Sequence, residues 1–388
     1  MPEWCLRFGI VPLADPPNRS SENTAYTERL LALGLAQGID RIGVAPAHIF
    51  ARTRHELHER KQRGLHDTMQ FTYRNPDRST DPQSTVVGAQ SIVVGALSYA
   101  TEQTEEHGYL EARIARYAWS DFYDQLRSAL NMVRDQLRAD GFRAEVVVDS
   151  NALVDREAAY LAGLGWYGKN ANLLLPGVGS YFVLGSVVTD AVLDVAPAPL
   201  DDGCGACKRC LDSCPTGAIV APGVIDARTC LAWLIQKPGV FEHRFREALG
   251  DRIYGCDDCQ QSCPPTIRFS IKKPVTAVRT SVSVLTMLQS SDNELMAQVG
   301  QWYVADRNPV WVRRNLLIIL GNIASVSDQA VREVLSMYCR HDEPMLRAHA
   351  IWSAARLGHR DLIPVADESP IVQAELAHLP KVRIGKGV

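Results

Sequence analysis

Apolar positions along the first half of the chain recur with alternating helical and strand periods. From Thr24, TAYTERLLALGLAQGID carries them at helical spacing with Gly38 near its end, and RIGVA follows as a short strand. ARTRHELHERKQRG (51–64) predicts a highly charged helix. YRNPDRSTDP (73–82) is turn chemistry throughout, and SIVVGALSY (91–99) reads as a buried strand. Asp121 to Asp140 predicts a long amphipathic helix stopped by Gly141. AEVVVD (144–149) is a strand, NALVDREAAYLAGLG a helix and SYFVLGSVVTD (180–190) another strand. This alternation predicts an α/β or α+β domain with a sheet core over residues 24–198. An irregular extension, 1–23, rich in Pro, Asn and Ser near its end, precedes it.

A Pro- and Asp-containing linker (195–203) leads into a cysteine-dense stretch, and beyond Pro264 and Pro265 the pattern changes again. No segment after about residue 286 reads as strand. NPVWVRRNLLIILGN (308–322) and EPMLRAHAIWSAARLGH (343–359) repeat one theme: Pro at the helix start, an early Arg, an apolar stripe, and Leu-Gly at the end. The two Leu-Gly pairs are 37 residues apart, and a third Pro-led helix is expected at Pro370. That period predicts stacked HEAT-like helix pairs over 285–380, with an ordinary helical bundle as the alternative.

Composition narrows the class. Of 388 residues, 46% are hydrophobic and 22% charged, which excludes a disordered or fibrous chain. A net charge of -3 makes no global case for nucleic-acid binding, so any such contact needs a local basic patch. The most lipid-like stretch, Leu316 to Val326, is broken by Gly321 and Asn322, so no membrane-spanning helix is expected. The amino end has neither a basic start nor a long apolar core, and a cytoplasmic protein is expected. Eight of the ten cysteines fall between Cys204 and Cys263. A secreted disulfide scaffold would be short and would spread them along the chain.

Cys204-x2-Cys207-x2-Cys210-x3-Cys214-Pro215 matches the bacterial ferredoxin run, in which the fourth thiolate serves the other cluster. The second half carries Cys256-x2-Cys259-x3-Cys263-Pro264, with Ile253 where its first cysteine would stand. Cys230 is the spare cysteine that can replace it. The crossing rule then assigns Cys204, Cys207, Cys210 and Cys263 to one 4Fe-4S cluster. It assigns Cys214, Cys230, Cys256 and Cys259 to the other. Paired structural zinc sites are the alternative, but zinc knuckles need neither the x3 gap nor the trailing Pro. Two clusters indicate electron relay, and a second redox centre or a partner must use the electrons.

GLGWYG (163–168) fits a dinucleotide fingerprint only superficially, because it follows a helical stretch instead of a strand. Asp149, followed by Ser150 and Asn151, sits where a strand gives way to a helix. On residue type alone it is a helix cap, yet open α/β sheets also place reactive groups at strand carboxyl ends.

VVVDS, DREAAYLAGLGWYGKN, the C-x2-C-x2-C-x3-CPTGAI run and YGCDDCQ-x3-CP together resemble the epoxyqueuosine reductases, cobalamin-dependent iron-sulfur enzymes of queuosine synthesis in transfer RNA. The likeness runs from about Thr24 to the C-terminal helices and includes RRNLLIILGN (313–322). It implies an α+β multidomain chain. The parts are an N-terminal α/β cobalamin-binding domain, a ferredoxin-like two-cluster 4Fe-4S domain at 199–268, and a C-terminal HEAT-like helical domain. It further implies reduction of epoxyqueuosine to queuosine at the tRNA wobble position, with electrons passing through two clusters to cob(I)alamin and Asp149 as proton donor. Asp149 itself, Arg156, Lys169, Asn170 and Asp257 are implied cofactor-pocket residues. Asp257 could equally accept local backbone hydrogen bonds, and Trp166 and Tyr167 could line the corrin or sit in the core. The chain departs from the family pattern at Asp121-Phe122-Tyr123, at Trp233-Leu234-Ile235 and at Pro265.

The implied partners are tRNA, through an anticodon stem-loop, and an external low-potential electron donor; the chain is expected to act as a monomer. From residue 270 onward there are 14 Lys and Arg against 11 Asp and Glu, net +3, set against -6 for the remainder. Arg313, Arg314, Arg347 and Arg356 are therefore phosphate-contact candidates, with Trp311 and Trp352 for base stacking. The alternative for the arginines is a solvated helix face or an intrahelical pair. Two other readings remain open from sequence. One is a cobalamin/iron-sulfur reductase of another substrate, resembling reductive dehalogenases; the other is a ferredoxin-type electron carrier without its own catalysis.

Overall fold

The computed structural model describes residues 21–101, 107–195, 198–269 and 278–383. The expected extension (1–23) lies outside the described residues up to position 20, as do positions 196 and 197 of the linker. The chain divides into two units, each built from three segments. The first comprises Met1–Gln103, Asp121–Asp226 and Asp258–Thr276; the second comprises Thr104–Ser120, Ala227–Asp257 and Ala277–Val388. The cysteine-rich stretch contributes to both.

In the first unit four strands form one sheet: β1 (Arg41–Pro46), β2 (Ser91–Ser98), β3 (Ala144–Val148) and β4 (Phe182–Thr189), in the order β1-β2-β4-β3. Every neighbouring pair is antiparallel. The expectation of an α/β or α+β domain thus resolves to α+β, because a doubly wound α/β sheet would be mostly parallel. The sheet's helices are α1 (Ser21–Ala36), α2 (Ala51–Gln62), α3 (Phe122–Ala139) and α4 (Asp155–Leu161). Every residue of β2 is buried, as expected of a strand covered on both faces.

One face of the sheet packs Ile92, Val94, Ala96 and Val188 with Leu153, Ala158 and Ala159 at α4. On α3, Leu126, Leu130, Val133 and Leu137 recur at helical spacing and are all buried. Gly185 lets α3 approach: a Cβ there would meet Val148 at 2.5 Å and Leu130 at 2.9 Å. Asp121 caps α3 by accepting a hydrogen bond from the Asp124 amide (2.9 Å), and Phe122 is buried with its ring 6.0 Å from that of Tyr99. The helix expected over NALVDREAAYLAGLG shrinks to α4. Asp149 takes the left-handed conformation (φ 48°), and Val154 precedes the helix without a side-chain cap.

In the second unit Glu111–Ile114 pairs antiparallel with Ser281–Ser283 and parallel with Arg252–Tyr254. The rest is helical: α5 (His243–Leu249), α6 (Pro309–Ile323), α7 (Gln329–Tyr338), α8 (Pro344–Arg356) and α9 (Pro370–Leu376) are the main elements used below. The Pro-led helices fall where the repeat predicts them. Proline suits the first helical turn, where its missing N–H costs no bond. α6 and α8 meet closely: Ser353 Oγ donates to the Leu317 carbonyl (2.6 Å). A Cβ on Gly321 would stand 2.7 Å from Ser353 Oγ and 2.9 Å from the Trp352 ring. Among the described residues no helix is long and apolar enough to cross a membrane.

The arginines expected to meet phosphate are spent inside this unit. Arg313 pairs with Asp292 and donates to the carbonyls of Leu288 and Ser290 and to the Tyr338 hydroxyl. Arg314 is 1% exposed and donates to the carbonyls of Leu234, Ile235, Lys237 and Gly239. Burial, with Arg246 adding to it, pushes Arg314 down to about 9. Arg347 pairs with Asp367 and Arg356 with Glu247. Trp352 is buried with the guanidinium groups of Arg246 and Arg356 over its ring, while the Nε1 of Trp311 is sealed from solvent and Arg314 lies over its ring. The four arginines are thus paired within this unit, so the modest positive charge of the region does not form a phosphate-binding face through them. Trp233, Leu234 and Ile235, a departure from the family pattern, are buried, and the Ile235 carbonyl accepts from Asn315 as well as Arg314.

Candidate functional site

The cluster site in the first unit is assembled from two loops distant in the chain, as the crossing rule expects. Cys204 and Cys207 lie in a turn closed by the Cys207 amide donating to the Cys204 carbonyl (3.1 Å), and Cys210 is in the short helix Arg209–Asp212. Cys263 arrives from the second run, at the end of the helix Asp258–Gln261, and is buried like Cys210. Burial raises both thiols above their ordinary value. The charges of Cys263 and Cys204 add to this at Cys210, and those of Cys204 and Cys207 add to it at Cys263. The four thiols therefore lie within electrostatic reach of one another, and four thiolates are the donor set a 4Fe-4S cubane needs. Among the described residues no three His, Cys, Asp or Glu side chains close tightly enough to share a single metal ion. A cubane asks for a wider frame, with one iron to each thiolate.

Hydrogen bonds to the sulfurs complete the picture. The Thr266 amide and hydroxyl donate toward the Cys263 thiol, and the Ala218 amide donates to Cys214 Sγ (3.2 Å). Thr266 is itself fixed by Ser180, whose amide lies 3.1 Å from its hydroxyl oxygen. Gly179 has φ 80°, and a Cβ there would come within 2.4 Å of the Thr266 Cα, so the site requires glycine. Sequence reasoning did not find Thr266; its signal is the third position after the last cysteine of the run. Cys214 and Cys259 lie in the first unit, and Cys230 and Cys256 in the second.

Lys169 and Asn170 occupy the turn between the paired segments Trp166–Tyr167 and Leu173–Leu174. Lys169 Nζ donates to the carbonyls of Gly205 and Cys207, the latter at 3.0 Å, so it grips the first cysteine loop. Asn170 is buried; its Nδ2 donates to the Cys259 carbonyl (3.3 Å) and its Oδ1 accepts from the Asn172 amide. Arg156 is exposed and donates to the Ala171 carbonyl (3.3 Å). Trp166 packs on Gly203, where a Cβ would fall 2.7 Å from its ring, and Tyr167 donates its hydroxyl to buried Glu157 (3.0 Å). In the second unit Asp257 is buried and accepts from the Arg116 amide (2.7 Å). Of the residues expected around the corrin, all but Asp149 thus make hydrogen bonds to main chain.

Asp149 stands at the end of β3, exposed and left-handed, and no described side chain or amide hydrogen-bonds its carboxylate. It caps no helix. It also lies at the end of an antiparallel strand, so the carboxyl-end rule of open α/β sheets does not account for its position. The protein packed around it raises its carboxyl above the ordinary value, with Arg127, bound to the Val148 carbonyl (2.9 Å), opposing the rise. Nearby Asp155, in the first turn of α4, has a buried Oδ1 without a hydrogen-bond partner. Burial first and the Asp149 charge second hold the Asp155 carboxyl well above the usual range, against the pull of Arg156. Both carboxyls are thus raised above the ordinary value, and the sequence reading singled out only Asp149. An open surface depression of about 570 Å³ in the second unit, lined by Thr286, Gln289, Ser290, Glu294, Ala297 and Gln298, contains none of these residues.

Comparison with known proteins matches residues 203–266, including all eight cysteines, to the family model described as 4Fe-4S double cluster binding domain. Residues 79–150, ending just past Asp149, match the model described as Epoxyqueuosine reductase QueG, DUF1730. The chain is 31% identical over 350 residues to an epoxyqueuosine reductase of Xanthomonas campestris pv. campestris, covering 86% of this chain and 97% of that protein. It is 31% identical over 373 residues to one from Pseudomonas aeruginosa, covering 89% and 98%. It also resembles the crystal structure of an epoxyqueuosine reductase with a tRNA-Tyr epoxyqueuosine-modified stem loop. There the TM-score is 0.82 at 26% identity, covering 91% of this chain and 97% of that one.

Proposed function

The chain belongs to the epoxyqueuosine reductase family, and from that premise we propose that it reduces epoxyqueuosine to queuosine at the wobble position of tRNA. Removing the epoxide oxygen consumes two electrons and two protons and releases water. The observation that carries the reading is the near full-length likeness to reductases of that name, together with eight cysteines inside a double-cluster match. Cys204, Cys207, Cys210 and Cys263 would hold one cluster. Cys214, Cys230, Cys256 and Cys259 are assigned to the other on spacing and on that match. Single electrons from an external low-potential donor enter through these clusters.

Cobalamin enters on the family premise. When bound, its reduced cobalt supplies the nucleophile or electrons that break the carbon–oxygen bond. Because Arg156, Lys169, Asn170 and Asp257 bond to main chain, the corrin's seat is not read from them. The chain's own contribution to the chemistry is a proton. Asp149, exposed and with its carboxyl raised above the ordinary value by the protein packed around it, is suited to protonate the departing oxygen, and its charge in turn raises the Asp155 carboxyl. The helical second unit, read as HEAT-like, would support the stem-loop, with the protein acting as a cytoplasmic monomer.

The test is turnover by anaerobic protein reconstituted with iron, sulfide and cobalamin, given a low-potential reductant and tRNA carrying epoxyqueuosine. Queuosine should form only when cobalamin is supplied. Fully loaded protein that leaves the epoxide intact would overturn the reading.

A further inference from the structure

We propose that Lys169 is an electrostatic positioning residue for the iron-sulfur cluster of Cys204, Cys207, Cys210 and Cys263, holding its loop closed and raising its reduction potential. The proposal rests on the cluster reading given above. Lys169 projects from the tight turn after Gly168, where the Gly168 amide donates to the Asn172 carbonyl (2.8 Å) and Ala171 is left-handed (φ 61°). Its ammonium donates to the carbonyls of Gly205 and Cys207, and Cys207 is itself a ligand. The side chain is half-buried, so its charge is less screened by solvent than a surface lysine's. The adjacent Asn170 takes the Cys259 carbonyl from the other run. One dipeptide therefore ties the first cysteine loop and part of the second to the body of the first unit.

The physical consequence has a sign. Each reduction adds one negative charge to a cluster whose thiolates already make it anionic. A cation fixed on the backbone of a ligand loop stabilises the reduced state more than the oxidised one. Cluster potential depends on local charge, hydrogen bonding and exposure, and Lys169 acts on the first two. Met at this position removes charge and donor together. Gln keeps donors without charge, and Arg keeps both.

The experiment is an electron-paramagnetic-resonance redox titration of anaerobically reconstituted wild type, Lys169→Met, Lys169→Gln and Lys169→Arg, with iron counted in each. For one cluster signal, Lys169→Met and Lys169→Gln should lower the midpoint by about tenfold in the reduction equilibrium, about 59 mV for one electron. Lys169→Arg should restore it, and the other signal should stay where it is. Should Lys169→Met fail to load iron, Lys169→Gln still reads the charge alone. Wild-type midpoints in both neutral variants at full iron content would overturn the proposal, as would an equal shift of both signals. Wild-type protein without iron would instead remove the cluster reading itself.

Discussion

The proposed proton chemistry rests on a single left-handed residue, Asp149. A non-glycine φ near 50° is uncommon, and Asp and Asn tolerate it better than other side chains, so Asp149→Asn can keep the backbone while removing the acid. That variant should load iron as wild type does and lose turnover. Because the Asp149 carboxyl is raised, its protonated form survives to higher pH than an ordinary aspartic acid, and kcat/KM should fall as pH rises through that shifted value. Arg127 pulls the value down, so Arg127→Met should move the falling limb to higher pH; a pH–rate profile with an unmoved limb would remove Asp149 as the titrating acid. Asp149 was legible in the sequence through its motif. Asp155 was not, because its distinction is a sealed, unpartnered oxygen and its nearness to Asp149 across a turn, neither of which a residue string displays.

At the scale of elements, period and punctuation read true where burial is one-sided or complete. The amphipathic α3, the all-buried β2 and the Pro-led α6, α8 and α9 stand where their patterns place them. The pattern overran at 151–165, because the Ser150-Asn151 turn and uncapped Val154 delay the helix to Asp155. Strand direction was also hidden: alternating helices and strands suit parallel and antiparallel sheets alike, and only the pairing of β2 with β1 and β4 decides it. Positive charge misled in the same way. A string shows Arg313 and Arg314 as cations, while the fold uses them to satisfy helix-end and loop carbonyls. The α6–α8 contact yields a prediction with an unusual sign. Ala normally stabilises a helix interior over Gly by about 1 kcal/mol. At Gly321 its methyl would meet Ser353 and Trp352, so Gly321→Ala should lower the Tm; a rise would show that the two helices do not need this close approach.

For the whole molecule, the cysteine spacing was the most legible feature, because cluster ligation demands both the residue type and the interval. What spacing could not show is how the cysteine stretch is divided, with Cys204, Cys207, Cys210 and Cys263 in the first unit and Cys230 and Cys256 in the second. Nor could it show that Lys169 and Asn170, read as cofactor residues, fasten the cysteine loops. The substrate is the central claim. Its most direct test is mass spectrometry of nucleosides from the tRNA of a strain lacking this protein and any paralogue of it. Epoxyqueuosine should accumulate there and be converted to queuosine on complementation with wild type but not with Asp149→Asn. Queuosine at its normal level in the deletion strain would contradict the account.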